Sequence, residues 1–340
     1  MDSDSSSIED ETESSDTEAE SESSDSSDSD ESDDSLVEND PISLLSELLK
    51  INSTVSEIDL SQTFIDAKGA GVLAEALKIN STIVKIDLTS NSIGDEGAVT
   101  LAKALRVNSS ITDINLCGNE IRNKGMVALA EALRFNSTIT KLNLSINIVV
   151  AGGIEGAKAL AETLKVNTTL TVLNFDYNSI GSEGAQAIAE ALKVNHTLTE
   201  INLSANNIHV QGFIAIMDAL KFNSSISKIT LGSNFIGSEG VLALAEVLKF
   251  NSTITVFDLR CSSIKDIGAI ALAEALQVNR TLKHLVIGRN SIGTHGLLAL
   301  AESLKVNSTI VVINVAENIC DSKTRQHLEN VSNRFDFCYT

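Results

Sequence analysis

The sequence feature that most constrains the fold is an asparagine that returns every 28 residues, with one interval of 31 residues. An internal period of about 20 to 50 residues is typical of solenoids, in which each unit packs only against its neighbours. The chain is therefore expected to fold as stacked copies of one short unit. The asparagines of this series are Asn52, Asn80, Asn108, Asn136, Asn167, Asn195, Asn223, Asn251, Asn279 and Asn307.

Within each unit, the spacing of apolar residues predicts one strand and one helix. Ile86 and Leu88 alternate with polar residues, which is the period of a half-buried strand. In Glu96–Asn108 the apolar residues recur at intervals of three and four, which is the period of a helix with one buried face. One unit alone can bury neither face, so neighbouring units must stack. Because strands pack closer together than helices do, the stack is expected to curve with its strands inside.

The repeated unit reads N-[ST]-T-[IL]-T-x-[IL]-[ND]-L-x-x-N-x-I-G-x-x-G-A-x-x-L-A-E-A-L-K-x and resembles the ribonuclease-inhibitor type of leucine-rich repeat. The resemblance extends over about residues 43–320. It implies an α/β fold, a horseshoe solenoid with a parallel inner sheet and outer helices. Proteins with this repeat type are mostly binding scaffolds, among them ribonuclease inhibitors, nucleotide-binding innate-immunity receptors and Ran GTPase-activating proteins.

Four segments are predicted from changes in composition. Residues 1–38 form a Ser/Asp/Glu-rich tail, residues 39–54 an N-terminal capping helix, residues 55–319 about ten repeats, and residues 320–340 a C-terminal cap. In the capping helix, Asp40 is the expected N-cap and Pro41 the first helical residue. The buried stripe of that helix is predicted to contain Ile42, Leu45, Leu48 and Leu49.

The N-terminal tail carries nearly all of the net charge. Residues 1–40 contain 18 Asp and Glu and no Lys or Arg, against a net charge of -21 for the whole chain. A segment so poor in apolar residues is predicted to be disordered. It could bind a basic protein or simply keep the chain soluble. Four serines with an acidic residue three positions later are candidate sites for acidophilic kinases: Ser7, Ser15, Ser27 and Ser35.

A second series of asparagines falls in the turn between strand and helix. There, backbone groups are covered by the next repeat, and an amide side chain can both donate to them and accept from them. We interpret these residues as a structural ladder, with Thr63 and Ser262 as exceptions. Its predicted members are Asn91, Asn119, Asn147, Asn178, Asn206, Asn234, Asn290 and Asn318.

The first asparagine series also fits the pattern for N-glycosylation, but turn chemistry explains it without glycans. Each of these residues follows a helix, where asparagine favours a left-handed C-terminal conformation. The first residues include no basic and apolar secretory signal, so a cytoplasmic protein is expected, with the nucleus as a second option. Free thiols are expected for the cysteines, without a disulfide between Cys320 and Cys338: Cys117, Cys261, Cys320 and Cys338.

The sequence shows no pattern of catalytic or cofactor-binding residues. The five histidines do not cluster, and we identify no metal-ligand or nucleophile spacing. No enzyme activity, cofactor or metal is therefore predicted. Aromatic residues make up 4% of the chain and there is no basic stripe, which argues against nucleic acid as a partner. We expect a monomer that does not span a membrane.

Residues that differ between repeats are the candidates for contact with a partner, because the recurrent ones are needed for stacking. Tyrosine and arginine dominate many interfaces. On the inner sheet, the candidate partner-binding residues are Asp176, Tyr177, Asp258, Arg260, His284 and Arg289. A three-residue insertion within Asn147–Ala157 is a further irregularity that could contact a partner.

Two functions remain open from the sequence. The first is a non-catalytic protein-binding scaffold that uses the concave face of the horseshoe. The alternative is a GTPase-activating protein for a Ran-like small GTPase. Members of that family use an arginine in an early, irregular loop, and Ser61–Leu77, the matching region here, has none. The nearest candidates, Arg106 and Arg122, lie in regular repeats.

Overall fold

A computed structural model describes residues 41–147 and 152–338. The predicted acidic tail, its four candidate phosphoserines and Asp40 lie outside these residues, as do residues 148–151 of the insertion. In the described part of the chain, eleven helices alternate with eleven strands. The helices are α1 Pro41–Ile51, α2 Ala67–Ile79, α3 Gly94–Leu105, α4 Asn123–Leu133, α5 Ile154–Leu164, α6 Gly181–Leu192, α7 His209–Leu220, α8 Gly237–Leu248, α9 Lys265–Val278, α10 Thr294–Ser303 and α11 Ser322–Val331.

The strands form one parallel sheet in which each strand pairs with the next along the chain. They are β1 Glu57–Asp59, β2 Lys85–Asp87, β3 Asp113–Asn115, β4 Lys141–Asn143, β5 Val172–Asn174, β6 Glu200–Asn202, β7 Lys228–Thr230, β8 Val256–Asp258, β9 His284–Val286, β10 Val312–Asn314 and β11 Phe335–Asp336. The register is constant, so Leu142 is opposite Leu173 even where the interval is 31 residues. The predicted solenoid of parallel strands alternating with helices is confirmed.

The core lies between the sheet and the layer of helices. In the second repeat the strand buries Ile86 and Leu88, and the following helix buries Leu101 and Leu105. Among the described residues, no helix covers the other face of the sheet, and we call it the open face. Lys85 and Asp87 flank Ile86 and are less buried, as a strand with one buried side requires. This alternation places one set of side chains per repeat on the open face.

The N-terminal helix differs from the prediction at one position. Leu49 is buried, whereas Leu48 is 62% exposed, so its placement in the buried stripe was wrong. The buried position is Ser46, whose Oγ donates to the carbonyl of Val72 at 2.8 Å. Ser46 and Leu49 are three residues apart and therefore share a helical face, while Leu48 points about 100° away from Leu49.

The asparagines that follow the helices are not in the left-handed conformation that we predicted. Asn80 has φ -65° and ψ 130°, an extended conformation. Its Oδ1 accepts from the backbone N–H groups of Thr82 and Ile83, and its Nδ2 donates to the carbonyl of Leu49 in the preceding repeat at 2.7 Å. The side chain thus forms a turn and caps the previous helix, which favours extended rather than left-handed backbone. Eight members are at most 7% exposed: Asn80, Asn108, Asn136, Asn167, Asn195, Asn223, Asn279 and Asn307.

The C-terminal cap ends this first asparagine series with an arginine. Arg334 donates from Nη2 to the carbonyl of Leu304 at 2.6 Å and from Nη1 to that of Asn307 at 2.5 Å. One repeat earlier, the equivalent carbonyls accept from the amide of Asn307. Arg334 therefore supplies the donors that an eleventh asparagine would have provided. The four cysteines are free thiols.

Candidate partner-binding surface

The ladder asparagines form hydrogen bonds that hold the turn after each strand, at the edge of the open face. Asn206 is fully buried, donates to the carbonyls of Phe175 and Ser204 at 2.8 and 3.0 Å, and accepts from the backbone N–H of Asn178 at 2.9 Å. The other members make similar contacts, although the buried Oδ1 of Asn119 has no partner among the described residues. Seven members are at most 6% exposed and Asn318 is partly buried: Asn91, Asn119, Asn147, Asn178, Asn206, Asn234 and Asn290.

At the two exceptions, a hydroxyl replaces the amide. Thr63 donates its backbone N–H to Asn91 Oδ1 at 3.2 Å and its Oγ1 to the carbonyl of Leu60 at 2.7 Å. Ser262 donates its backbone N–H to Asn290 Oδ1 at 2.7 Å. A hydroxyl has only one donor, so each exception makes fewer cross-repeat contacts than an asparagine does.

The residue before the ladder position is often held in the left-handed region. Tyr177, Ile146 and Arg289 have φ of 55°, 57° and 55°. These residues follow the short strands rather than lying within them, as do Asp176 and Arg260; His284 is within β9. Tyr177 is 57% exposed and Ile146, which occupies the same position one repeat earlier, is 47% exposed. They form an exposed apolar pair at the end of β4 and β5.

Asp176, next to Tyr177, is a carboxylate in a poorly solvated position. Its Oδ1 is buried and has no hydrogen-bond partner among the described residues. Burial raises the pKa of Asp176 to about 6, and a hydrogen bond from the backbone N–H of Tyr177 offsets only part of that shift. The equivalent positions on the flanking strands hold the short, uncharged side chains of Ser145 and Ser204. No cation in the described part of the chain stabilises its charged form.

The two candidate arginines of the eighth and ninth repeats already form ion pairs within the chain. Arg260 donates from Nη2 to Asp258 Oδ2 at 2.7 Å and from Nε to the same oxygen at 3.0 Å. The side chain of Asp258 is 8% exposed. Arg289 pairs with Glu317 at 2.9 Å. These ion pairs within the chain reduce the number of donors that the two arginines can offer to a partner.

The candidates thus fall into two groups and do not form one cluster. Asp176 and Tyr177 follow β5, whereas Asp258, Arg260, His284 and Arg289 lie in or after β8 and β9. Three strand spacings separate β5 from β8, about 14 Å. Ile146 was missed by the sequence reasoning, although its position matches that of Tyr177 in the preceding repeat and could have identified it.

The two arginines considered for GTPase activation lie apart from both groups. Arg122 is exposed directly before α4. The guanidinium carbon of Arg106, at the end of α3, lies 4.1 Å from the ring centre of Phe135. Within residues 41–147 and 152–338, no group of His, Cys, Asp or Glu side chains is arranged to hold a metal ion. Over the same described ranges, no helix combines the length and the hydrophobicity needed to cross a bilayer.

Comparison with known proteins identifies the repeat. A family model described as a leucine-rich repeat matches six segments: 80–102, 107–130, 166–189, 194–217, 250–273 and 278–301. Among solved structures, the chain is similar to the leucine-rich repeat-containing protein LegL7 from Legionella pneumophila, with 17% identity, a TM-score of 0.54, and coverage of 86% of this chain and 94% of that one.

Yeast Rad7, in its complex with Elc1, provides a second comparison. The matched chain has 12% identity and a TM-score of 0.50, with coverage of 86% of this chain and 78% of that one. No curated protein sequence matches the chain at a significant level. At these identities the likeness shows the fold alone, which is a solenoid of leucine-rich repeats.

Proposed function

We propose that this solenoid of leucine-rich repeats is a protein-binding scaffold whose partner docks on the open face of the sheet around Asp176 and Tyr177. Solenoids present extended surfaces in which each repeat contributes a few side chains to one partner. The observation that carries the proposal is the pairing of an uncompensated carboxylate with a largely exposed aromatic ring. Exposed Ile146 extends the apolar part of the surface. Interface energy is usually concentrated in such aromatic anchors.

The second group of candidates is a secondary contact in this proposal. Arg260 and Arg289 are bound to Asp258 and Glu317, and a partner that recruits them must compete with those ion pairs. His284 lies on β9 between Val256 and Val312 of the neighbouring strands. The predicted tail of residues 1–38, with its candidate phosphoserines, remains a separate prediction for binding a basic protein.

The test compares proteins retained by the immobilised full-length chain with those retained by a Tyr177→Ala variant. We expect at least one partner to be retained about tenfold less by the variant, because an anchor residue typically contributes 2 kcal/mol or more, about a thirtyfold change in affinity. The matched control is Phe250→Ala, which removes an aromatic ring that is 85% exposed at the end of α8. Equal retention by wild type and Tyr177→Ala would contradict the proposal.

GTPase activation is the alternative, and the exposure of Arg122 is the observation that favours it. An arginine supplied to a GTPase can accelerate hydrolysis by about 10³-fold or more. The measurement is phosphate release from GTP-loaded Ran and related small GTPases with catalytic amounts of the full-length chain. Acceleration that is lost in Arg122→Ala and retained in Tyr177→Ala would favour activation over the scaffold. An unchanged rate would reject it.

A further inference from the structure

We propose that the partner presents an arginine to the surface formed by Asp176 and Tyr177, with its guanidinium paired to the Asp176 carboxylate and packed against the Tyr177 ring. This inference rests on the proposed function above and names the chemistry of the partner. In this proposal, the exposed side chain of Ile146 contacts the aliphatic part of the arginine side chain.

No cation of residues 41–147 and 152–338 lowers the pKa of Asp176. Its Oδ1 is buried without a hydrogen-bond partner among the described residues, and burial is the main influence on its pKa, with no cation lowering it. The charged residues on the flanking strands, Lys141 and Glu200, are at the starts of β4 and β6, while Asp176 follows the end of β5. A buried carboxylate is costly unless it is paired, so a cation from outside would be stabilising.

The open face already accommodates one guanidinium at the corresponding position of another repeat. Arg260 follows β8 by two residues, as Asp176 follows β5, and lies between glycines at the same position of the adjacent repeats. A Cβ added at Gly232 would lie 3.0 Å from Arg260 Cγ, so small neighbours are what make the space for this side chain. At the same position, Asp176 has the small neighbours Ser145 and Ser204, which each carry a Cβ, so a guanidinium that pairs with Asp176 must approach from the solvent side.

The surface favours arginine over lysine. A guanidinium is planar and can stack on an aromatic ring while one of its N–H groups donates to a carboxylate oxygen, whereas an ammonium group is a compact and strongly hydrated charge. The ring of Tyr177 is 57% exposed beside the carboxylate. A surface that combines a carboxylate, an aromatic ring and an aliphatic wall matches the three parts of an arginine side chain.

The composition of the chain provides a direct probe. It has two tyrosines and no tryptophan, so a Tyr339→Phe variant of the full-length chain leaves Tyr177 as its single tyrosine fluorophore. The probes are the capped tripeptides Gly-Arg-Gly, Gly-citrulline-Gly and Gly-Lys-Gly, in which citrulline keeps the shape of arginine without its charge. Tyrosine fluorescence is recorded during titration with each peptide and, separately, as a function of pH.

We expect saturable binding of the arginine peptide with a Kd on the order of 1 mM, which is reasonable for one side-chain contact. The fluorescence of Tyr177 should change as the neighbouring Asp176 ionises, with a midpoint near pH 6. Because a bound cation favours the ionised carboxylate, the arginine peptide should lower this midpoint. Citrulline should have no effect, and lysine should bind several-fold more weakly. Asp176→Asn should abolish both responses, while Glu200→Gln should keep them.

An equal response to the arginine and citrulline peptides, or a response that survives Asp176→Asn, would overturn the assignment of an arginine. This failure can be distinguished from failure of the scaffold proposal. If Tyr177→Ala loses a captured protein but no arginine response is found, the surface binds protein through other chemistry. If Tyr177→Ala loses nothing and the peptide does not bind, both proposals are wrong.

Discussion

At the scale of single residues, two carboxylates of the open face lie in poorly solvated surroundings but differ in their partners. Asp258 is nearly buried and is paired with Arg260 of its own repeat. Asp176 is less buried but has no such cation, and its pKa is raised to about 6. The first arrangement is complete within the chain. In the second, the ionised carboxylate of Asp176 carries an energetic penalty in the free protein, and the proposed arginine of the partner would relieve it.

This penalty predicts a pH dependence of stability. The pKa of Asp176 is 3.8 without the fold and about 6 within it, so between these values the folded state holds a proton that the unfolded state has lost. Stability should therefore fall as pH rises from about 4 to about 6 and stay lower above that range. After allowance for partial solvent exposure, the loss is about 1–2 kcal/mol.

Asp176→Asn cannot ionise and should escape that loss. Its unfolding free energy relative to wild type should rise by about 1–2 kcal/mol between about pH 4 and pH 7, measured by urea denaturation at each pH. Taking the difference between the two proteins cancels the titration of all other groups. A difference that does not change with pH would show that Asp176 is solvated like an ordinary surface carboxylate.

At the scale of elements, each helix is held against the next by small residues on its inner face. In α7, a Cβ at Gly212 would lie 2.9 Å from Ala185 Cβ and 3.1 Å from the Cα of Ser182 in the preceding helix. Neither atom can move by a side-chain rotation. In α2, a Cβ at Gly71 would lie no closer than 3.9 Å to its nearest neighbour, Thr100 Cγ2. Gly212 is therefore needed for the close packing of two helices, whereas Gly71 is not.

These glycines provide a matched pair of substitutions. Gly212→Ala should lower the free energy of unfolding by about 1–3 kcal/mol, because the helices must separate to admit the methyl group. Gly71→Ala should raise it by about 0.5–1 kcal/mol, because alanine favours the helix and meets only ordinary contacts. Thermal denaturation followed by circular dichroism measures both. Destabilisation of similar size by the two substitutions would mean that close helix packing is not the cause.

Much of this element-level order could be predicted from the sequence. The periods of two and of three to four residues around Ile86 and Leu101 predict the strand and the helix, and the 28-residue repeat predicts their stacking. The exposure of Leu48 and the extended backbone of Asn80 were not predicted, because both depend on contacts with the following or preceding repeat. The raised pKa of Asp176 was also beyond the sequence, since burial of one oxygen depends on the neighbouring strands.

At the scale of the whole molecule, a stack of repeats has two ends, and each end needs a replacement for the missing neighbour. At the C-terminal end, Arg334 occupies the carbonyls of Leu304 and Asn307. Neither asparagine series in the sequence indicates this arginine. It donates hydrogen bonds as the repeated asparagines do, but it is a different residue type. Arg334 directly precedes β11, which pairs with β10.

Removal of the Arg334 side chain should loosen the final repeat. Arg334→Ala leaves the two carbonyls without their donors, at a cost of about 1–3 kcal/mol. Amide hydrogen exchange should increase in α10, β10 and α11, with little change in the central repeats. Lys305→Ala is the control, because it removes an exposed ion pair with Glu302. Uniform exchange changes along the whole chain would contradict a local role for Arg334.

The amides that follow the helices also determine how the length of the molecule can change. Asn195 donates to the carbonyl of Leu164, and Asn223 donates to that of Leu192. If residues 195–222 were removed, Asn223 would follow Val194 and could donate to Leu164 in place of Asn195. Three extra residues between Asn136 and Asn167 leave the hydrogen bond from Asn167 to the carbonyl of Leu133 intact, so only a change of length within a strand, a helix or the capping turn would shift an amide from its acceptor. The protein is in this sense modular, able to be shortened or lengthened by whole repeats while keeping its hydrogen bonds.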